Sequence, residues 1–504
     1  MYTIAFHNLG CKVNSYELDL MQQAVQRKGF GIVRFDERAD VYVINTCSVT
    51  NIADRKSRQM IHRAKTLNND ALVVAAGCYV QAEAFALAQD ESVDLLIGNN
   101  KKAVIADLIE QFLEMKNAGR LSQFCAVLEG AHPEEILKKD ESLIVPGTED
   151  YNLSGTEKEI RNYLIKTMGN TTIPDLKKTP FEEGNLSRCE NHTRAYIKIQ
   201  DGCNRYCSYC IIPYTRGNVR SKDPDEVITE AQMLVSSGVR EIVLTGIHIS
   251  SYGIDFPKSE TNPVTETLEE RSAGYLLKLL ERLNAIPGLK RIRLSSFEPR
   301  LINESFVKGL SKLPKICPHF HLSLQSGCNE TLKRMNRRYT AEEYEEKVSL
   351  LRSVYPDAAI TTDVIVGFPE ETEKEFRTTK EFAEKIGFYE MHVFKYSRRK
   401  GTPADLNPEQ IPEQVKNTRS DILLELTAKQ SVEFRKKWLG REVEVLFEEP
   451  KEIDGKVYWT GHTKEYVMVA LFSPEPLDNR LLRVIPTDFL TDEILLSKTG
   501  ESAL

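Results

Sequence analysis

Three cysteines stand close together in the stretch CNRYCSYC, at Cys203, Cys207 and Cys210. Thiolates bind zinc or iron, but this run supplies three ligands where structural zinc sites use four. No further Cys or His lies near enough in sequence to complete a zinc site, and the C-x3-C-x2-C spacing differs from the C-x2-C-x2-C run of bacterial ferredoxins. Three thiolates on a 4Fe–4S cluster leave one iron open. The run therefore favours a three-cysteine cluster whose open iron binds a substrate or cofactor.

Three more cysteines follow the first predicted strands of the chain. The stretches YTIAFHNLG, ADVYVINT and ALVVAAG predict short buried strands, each followed by a helical segment. Cys11, Cys47 and Cys78 come at the carboxyl ends of these strands. Because such ends meet at one edge of a parallel sheet, where ligands bind, we expect the three thiols to form a second site. The alternative is three buried structural thiols.

A second series of strands and helices surrounds the CNRYCSYC run. Strands are predicted near 194–200, 241–245, 291–295, 319–325, 359–366 and 389–396, with helical segments between them. Six βα units predict a partial parallel barrel with its chemistry in the loops that follow the strands. The cysteine run is the first of these loops. After about Lys437, the stretches REVEVLFEE, KVYWTGHTKEYVMVAL and NRLLRVIPTDFL predict a small β-barrel.

The chain is thus predicted to be an α/β protein of several domains, because 504 residues exceed what one hydrophobic core usually serves. Cys125 and Cys189 lie in or beside a charged, Pro- and Gly-containing segment, where we interpret them as spare thiols. The predicted units are a small parallel α/β domain at 1–115, an insertion or linker with one or two short helices at 116–188, a partial (βα)6 barrel at 189–436 and a small β-barrel at 437–504.

Composition limits the partners and the compartment. Hydrophobic residues at 41% and charged residues at 28% are typical of a soluble globular protein. The net charge of -7 provides no overall attraction to nucleic acid, so such a partner would need local basic patches. There is no signal-peptide pattern and no apolar run long enough to cross a membrane. Ten cysteines in a protein expected to be cytoplasmic indicate metal or redox chemistry rather than disulfides.

Longer stretches around the six cysteines resemble the radical S-adenosylmethionine (SAM) methylthiotransferase family. The resemblance covers nearly the whole chain except residues 116–188 and the insertion after Tyr252. Among its stretches, KIQDGC, RLSSFEP and LKRMNRRY are most similar to the branch that acts on N6-threonylcarbamoyladenosine in tRNA. The other matching stretches are NLGCKVNSYE, VINTCSVTNIADRKSRQ, GCY, IKIQDGCNRYCSYCIIPYTRG, LTGIHISSYG, HLSLQSG, DVIVGFPEET and HVFKYSRRKGTPA.

The resemblance implies a role for each set of residues. Cys203, Cys207 and Cys210 would bind the cluster whose open iron holds SAM, and Cys11, Cys47 and Cys78 would bind an auxiliary 4Fe–4S cluster. The aromatic Tyr209 before the last cysteine belongs to the same motif. The implied SAM-contacting residues are Tyr209, Thr245, Gly246, Ser295, Ser296, Gln325, Ile365 and Gly367. For those that follow strands, a local role in a turn or helix cap is the alternative.

The implied reaction is methylthiolation of C2 of N6-threonylcarbamoyladenosine at position 37, next to the anticodon. That C–H bond is unactivated, so a cofactor-borne radical must remove the hydrogen. The family takes sulfur from the auxiliary cluster and the methyl group from a second SAM molecule. The resemblance also implies tRNA and an electron donor such as flavodoxin or ferredoxin as partners of a monomer. The C-terminal barrel resembles the RNA-binding TRAM domain.

Basic patches and aromatic residues are candidate tRNA contacts, although solvated charged faces and buried rings are the alternatives. Phe394 and Tyr396 are predicted to stack on an unpaired base of the anticodon loop. The basic candidates for phosphate contacts are Arg55, Lys56 and Arg58; Lys333, Arg334, Arg337 and Arg338; and Arg398, Arg399 and Lys400.

Three other functions remain open at this stage. The first is a methylthiotransferase that acts on an aspartate of a ribosomal protein. The second is a non-catalytic RNA-binding protein whose cysteines hold zinc. The third, a SAM methyltransferase without radical chemistry, lacks the glycine-rich first turn that such folds use.

Overall fold

The computed structural model describes residues 2–117, 163, 166–167, 172–188, 193–257 and 266–499. Cys125 and Cys189 lie outside these residues, as does most of the predicted insertion. The described chain forms a five-stranded sheet, a curved row of strands and a closed barrel, in that order. This is the predicted α/β fold with a C-terminal barrel. No described helix is both long and apolar enough to cross a membrane.

The N-terminal unit, residues 2–117, is a parallel sheet with the strand order β2-β1-β3-β4-β5. Its strands are β1 Thr3–Asn8, β2 Gly31–Val33, β3 Val41–Thr46, β4 Leu72–Gly77 and β5 Leu95–Ile97, and its helices are α1 Lys12–Arg27, α2 Asn51–Leu67, α3 Cys78–Ala88 and α4 Ile105–Asn117. All residues of β3 and β4 are buried, because helices cover both faces of the sheet. The parallel sheet is confirmed, and β2 and β5 are short additions to the three predicted strands.

The central unit is a partial barrel of six parallel strands, as predicted. Its strands are β6 Arg194–Asp201, the short antiparallel β7 Arg220–Ser221, β8 Glu241–Gly246, β9 Arg291–Leu294, β10 His319–His321, β11 Ala359–Val366 and β12 Glu390–Lys395. Hydrogen bonding orders them β7-β6-β8-β9 and β10-β11-β12, and isolated bridges such as Phe297 to Leu322 join the two groups. The lateral row therefore runs from β6 to β12 in chain order.

Helices cover the outside of this row. They are α5 Ile212–Arg216, α6 Pro224–Ser236, α7 Leu268–Asn284, α8 Glu304–Leu310, α9 Asn329–Arg334, α10 Ala341–Val354, α11 Glu373–Ile386, α12 Pro403–Leu406 and α13 Glu413–Lys436, with short 3-10 turns at Ile249–Ser251 and Pro299–Leu301. Three of them start with a capping box, in which a Thr and the Glu three positions later satisfy each other's backbone N–H.

The two faces of the barrel strands differ in polarity. One set of alternate residues, including Ile197, Leu244 and Val364, joins the apolar core beneath the helices. The other set is mostly polar: β9 alternates as Arg291, Arg293 and then Ser295, and β11 places Thr361 and Asp363 in this set, whereas Ile365 is apolar. Because neighbouring residues of a strand point to opposite faces, the polar set lines the lumen of the partial barrel. The lumen is therefore a polar cavity rather than a second apolar core.

The C-terminal unit is a closed barrel with the strand order β13-β14-β15-β17-β16. It packs beneath the amino ends of the central strands, where Arg291 Nη1 donates to the carbonyl of His462 at 2.8 Å and Arg293 Nη1 donates to that of Lys464 at 2.8 Å. The barrel thus lies at the opposite end of the strands from the cysteine loops. Its strands are β13 Val443–Ile453, β14 Lys456–His462, β15 Met468–Leu471, β16 Leu481–Thr491 and β17 Ile494–Thr499.

Residues 172–188 pack between the first two units. The carboxylate of Glu182 accepts a hydrogen bond from the backbone N–H of Lys102 at 2.5 Å, and the backbone N–H of Leu186 donates to Glu230 at 2.8 Å. This part of the predicted insertion therefore contacts both neighbours. The division of the chain at residues 115, 188 and 436 stays a prediction.

Candidate functional site

The three cysteines of the CNRYCSYC run lie in the loop after β6, at the carboxyl end of the barrel. A tight turn, in which the backbone N–H of Cys210 donates to the carbonyl of Cys207 at 3.0 Å, brings two of them together. The backbone N–H of Cys203 donates to the carbonyl of Gly217 at 3.0 Å, which ties the start of the loop to its end. The thiols are close enough to perturb one another's pKa. We call them the core trio.

A buried ion cluster adjoins the core trio. Arg337 Nη1 donates to Cys207 Sγ at 3.3 Å and lies 3.4 Å from a carboxylate oxygen of Glu298, which also contacts Arg205 and His248. Burial would raise the pKa of the Glu298 carboxyl, but His248, Arg337 and Arg205 outweigh it and hold that pKa well below its usual range. The arginine thus offers a fixed N–H donor to a cysteine sulfur.

The other three cysteines also converge, as the strand pattern predicts. Cys11 is the N-cap of α1, Cys78 is the first residue of α3, and Cys47 follows β3 directly. Helix N-termini favour thiolates, which suits ligation. Gly10 has a φ of +110°, and a Cβ there would come within 3.1 Å of Cys47 Sγ, so glycine permits the close approach. The thiols influence one another's pKa. We call them the N-terminal trio.

A second buried arginine serves the N-terminal trio in the same way. Arg216 Nε donates to Cys78 Sγ at 3.3 Å, Nη1 contacts Glu17 at 2.8 Å, and Nη2 donates to Asn14 at 2.9 Å. Arg216 follows the core trio closely in sequence, whereas Glu17 and Asn14 belong to α1. The carboxylate of Glu17 also contacts Lys102 and Lys198. This buried network joins the N-terminal unit to the barrel.

Two further side chains, Asn99 and Arg399, hold both trios over the same end of the barrel. Asn99 Nδ2 donates to the carbonyl of Thr215 at 2.8 Å and lies 3.5 Å from Cys78 Sγ. On the other side, Arg399 after β12 contacts the carboxylate of Asp54 on α2, and its Nη1 donates to Asn51 at 3.1 Å. The N-terminal unit therefore closes over the carboxyl ends of the barrel strands.

The thiols fit iron–sulfur ligation. Burial, with the neighbouring thiols, raises the pKa of Cys47 to about 12 and that of Cys210 to about 12, and burial raises the pKa of Cys203 to about 11. Three adjacent thiolates would therefore need more positive charge than one arginine supplies, and a bound iron–sulfur cluster would provide it. Within the N-terminal trio, Cys11 is exposed, whereas Cys47 and Cys78 are buried.

Residues that the resemblance assigns to SAM line the upper lumen. Thr245 and Ser295 are buried at the ends of β8 and β9, and the Ser295 hydroxyl has no hydrogen-bond partner among the described residues. Gln325 has a φ of +69° and donates its backbone N–H to the carbonyl of Asp363 at 2.8 Å. A buried hydroxyl without a partner fits a polar ligand at this position.

The remaining candidates are spread around the same cavity. Tyr209 packs against the apolar cluster that includes Ile365, and Gly367 donates its backbone N–H to Glu371 at 2.7 Å. Gly246 pairs with Gln200 across β8 and β6, and Ser296 is half-buried next to Ser295. Gly367 therefore has a local role in a turn in addition to its place near the lumen.

Three of the proposed tRNA contacts are wrong. Arg337 is directed to Cys207 and Glu298, and Arg399 is buried against α2, so neither reaches a phosphate. Tyr396 is buried against Phe368 and cannot stack on a base. Of the other candidates, Arg334 pairs with Glu375 and Arg398 with Asp405, whereas Phe394 and the side chains of Arg55, Lys56, Lys333 and Arg338 are exposed.

Sequence reasoning missed the buried charges around the cysteines. Glu17, Arg216, Asp201, Lys198 and Glu298 are all buried, and each lies within or beside a stretch that carries the family resemblance. The usable signal was the presence of polar residues inside predicted strands, as in the alternation of RIRLS and the TTD of ITTDVIV, because parallel strands buried on both faces are usually continuous apolar runs.

The fold and the site together define a radical SAM protein: a partial parallel barrel with a C-x3-C-x2-C loop after its first strand. A family model described as Radical SAM superfamily matches residues 197–383, and one described as Uncharacterized protein family UPF0004 matches residues 3–98. The chain is 36% identical over 486 residues to the threonylcarbamoyladenosine tRNA methylthiotransferase MtaB of Bacillus subtilis (strain 168), covering 96% of this chain and 93% of the relative.

Two more relatives are similar over most of their length. Identity is 38% over 444 residues to MtaB of Aquifex aeolicus, covering 88% of this chain and 92% of the relative. It is 32% over 510 residues to the tRNA-2-methylthio-N(6)-dimethylallyladenosine synthase of Opitutus terrae, covering 99% of each. The chain belongs to the radical SAM methylthiotransferase family. Its cofactors are accordingly two 4Fe–4S clusters and SAM.

Proposed function

We propose that this protein methylthiolates C2 of N6-threonylcarbamoyladenosine at position 37 of tRNA, giving 2-methylthio-N6-threonylcarbamoyladenosine. The observation that carries the proposal is the convergence of two cysteine trios at the carboxyl end of one barrel, in a chain 36% identical to a protein named for this reaction. The relatives named for dimethylallyladenosine synthesis are less similar, at 32% identity or below.

The six cysteines would hold the two clusters: the core trio the cluster that binds SAM, the N-terminal trio the auxiliary cluster. When bound, these groups supply radical chemistry and sulfur that no side chain can provide. Arg337 and Arg216 each donate an N–H to one cysteine sulfur of a trio. Hydrogen bonds to the sulfurs of a cluster affect its reduction potential, so these arginines would tune electron acceptance from a donor such as flavodoxin or ferredoxin.

The lumen residues would position SAM and the target base. Thr245, Ser295 and Gln325 offer polar groups at three neighbouring strand ends, and Tyr209 with Ile365 forms an apolar wall suited to an adenine ring. Because the N-terminal unit closes over this cavity, the adenine ring of SAM and the target base would both be shielded from water. Enclosure protects a radical from side reactions.

Exposed aromatic residues at the mouth of the barrel would receive the anticodon loop. Tyr206 and Tyr214 are 44% and 42% exposed, and their rings form an edge-to-face pair at 6.0 Å beside the core trio. Phe394 is exposed at the end of β12. Unpaired bases stack on such rings. The C-terminal barrel lies at the other end of the strands and would contact a more distant part of the tRNA. We also propose a cytoplasmic location, where tRNA is found, and a monomeric enzyme.

Mass spectrometry of tRNA nucleosides tests the substrate. Cells that lack this protein should lose 2-methylthio-N6-threonylcarbamoyladenosine and accumulate its precursor, and the intact gene should restore the product. Loss of the dimethylallyl product instead would reassign the substrate. If both tRNA products persist and a ribosomal-protein aspartate loses its methylthio group, the tRNA assignment is wrong.

Single cysteine variants test the division of labour between the trios. Cys207→Ala should abolish formation of 5′-deoxyadenosine, whereas Cys47→Ala should leave it measurable but stop sulfur insertion. Cys328→Ala, a buried cysteine outside both trios, is the matched control and should retain both activities and full iron content. Full thiolation by both trio variants would refute the assignment of the clusters.

A further inference from the structure

Two histidines and one aspartate converge in the lumen below the cysteine loops. His321, Asp363 and His392 come from the adjacent strands β10, β11 and β12, and one donor atom of each lies within 4.8 Å of the other two. Asp363 and His392 are direct partners in the register of β11 and β12, and His321 pairs with Thr361. Rigid strands therefore hold the three donors together, which is the requirement for a specific metal site.

The contacts of His321 point to a cation. His321 is 7% exposed, and its Nδ1 lies 3.0 Å from the hydroxyl of Thr361, which fixes the ring. Nε2 lies 3.2 Å from a carboxylate oxygen of Asp363 but makes no hydrogen bond with any described residue. A nitrogen lone pair that faces a carboxylate is repelled by it unless a proton or metal ion lies between them. A metal ion between Nε2 and the Asp363 carboxylate would interact favourably with both.

The donor set fits a divalent transition-metal ion. Two imidazoles and one carboxylate are the protein ligands of many zinc and non-haem iron centres, and such centres keep further positions for water or another ligand. The Thr361 contact matches the usual partner on the second ring nitrogen of a metal-bound histidine. His392, the exposed member, lies on the lumen side and its ring stacks on that of His321 with centroids 5.6 Å apart.

The geometry points to a mononuclear site for a divalent transition-metal ion, of the zinc or ferrous class, formed by His321, Asp363 and His392. This site is separate from both cysteine trios and goes beyond the proposed function. Lys12 and Arg337 also reach this part of the lumen, and their positive charge opposes a cation.

Zinc is the probe of choice, because it is absent from iron–sulfur clusters. Cluster-loaded protein is dialysed against Zn²⁺, and zinc and iron are counted in the same sample. We expect one zinc per chain at unchanged iron content. Zinc X-ray absorption should show nitrogen and oxygen neighbours at about 2.0 to 2.1 Å, without the sulfur shell near 2.3 Å that cysteine binding would produce. A sulfur shell, or no retained zinc, would overturn the proposal.

Variants separate the site from adventitious binding. Asp363→Asn and His392→Gln should each weaken zinc binding by at least about 10-fold to 100-fold, since even loss of an outer partner has that effect. Thr361→Val removes the hydroxyl that contacts the His321 ring and should therefore also weaken zinc binding by about 10-fold to 100-fold. His62→Gln, an exposed histidine paired with Asp90, is the matched control and should bind zinc like the wild type. Because His392 is exposed, its variant should fold; zinc binding equal to wild type in that variant refutes the site.

Discussion

Replacing Glu17 by Gln removes the carboxylate that three buried cations share between the N-terminal unit and the barrel. Arg216 Nη1 and Lys198 Nζ lie 2.8 Å and 3.0 Å from one oxygen of this carboxylate, and Lys102 contacts the other. Removing one partner of a buried ion pair costs about 3 to 5 kcal/mol, because the remaining charge stays buried without compensation. The new amide N–H group would also face a cation, so we expect a value in the upper part of this range.

Native-state hydrogen exchange measures the effect where it occurs. Peptides from α1 and β6 should lose about 3 to 5 kcal/mol of opening free energy in Glu17→Gln, while peptides from the C-terminal barrel should be unchanged. Glu110→Gln is the control: its pair with Lys28 is solvent-exposed, so its loss should change the opening free energy little. The double variant Glu17→Gln, Lys102→Met should recover part of the loss. If Glu17→Gln behaves like Glu110→Gln, the network does not stabilise this junction.

The pH dependence gives an independent check. Burial would raise the pKa of the Glu17 carboxyl, but Arg216, Lys102 and Lys198 outweigh it and hold that pKa well below its usual range. A carboxyl whose pKa is lowered by folding stabilises the folded state fully when the pH is above its unfolded-state pKa of about 4.3. This stabilisation is lost as the pH falls through the folded-state pKa. The difference between wild type and Glu17→Gln should therefore be constant from about pH 7 to about pH 5 and shrink below about pH 4.

Two further predictions concern the loop of the core trio and the mouth of the barrel. Gly202 and Gly401 both have positive φ, but a Cβ on Gly202 would lie 1.9 Å from the carbonyl oxygen of Asn218, whereas nothing lies within 4 Å at Gly401. Gly202→Ala should therefore be about 1 to 3 kcal/mol less stable than Gly401→Ala, as read from thermal unfolding, and equal midpoints would contradict the crowding. Tyr214→Ala should weaken tRNA binding by about 1 to 3 kcal/mol in a filter-binding assay. Val354→Ala, at the C-terminal end of α10, is the control, and an equal loss of binding in both variants would exclude stacking on Tyr214.

Much of the architecture could be predicted because it depends on local pattern. The alternation of strand-like and helical segments along the chain predicted all six barrel strands. The Thr and Glu of capping boxes mark the starts of helices such as α10, where Thr340 and Glu343 satisfy each other's backbone N–H. The placement of Cys11, Cys47 and Cys78 at one edge also followed from the sequence, since the carboxyl ends of parallel strands must meet. The ligation of all six cysteines stays a proposal.

The buried charges could not be predicted from pattern. A charged residue is usually solvated, so Arg337 and Arg399 were assigned to phosphates, yet the fold directs them to Cys207 and to Asp54. Their partners lie far away in sequence, and composition does not say which of many carboxylates an arginine meets. Only the docking of complete units determines that choice, because burial makes an unpaired charge costly and so selects the arrangement in which each one is matched.

The amino-acid sequence alone therefore determined which residues can do chemistry here and which end of the sheets carries them, because spacing and strand periodicity are local properties. The tertiary structure decided which groups surround them. It set Arg216 against Cys78, brought His321, Asp363 and His392 together from three strands, and packed the C-terminal barrel at the end remote from the cysteines. Those outcomes depend on how separately folded surfaces match in shape and charge, which no window of sequence contains.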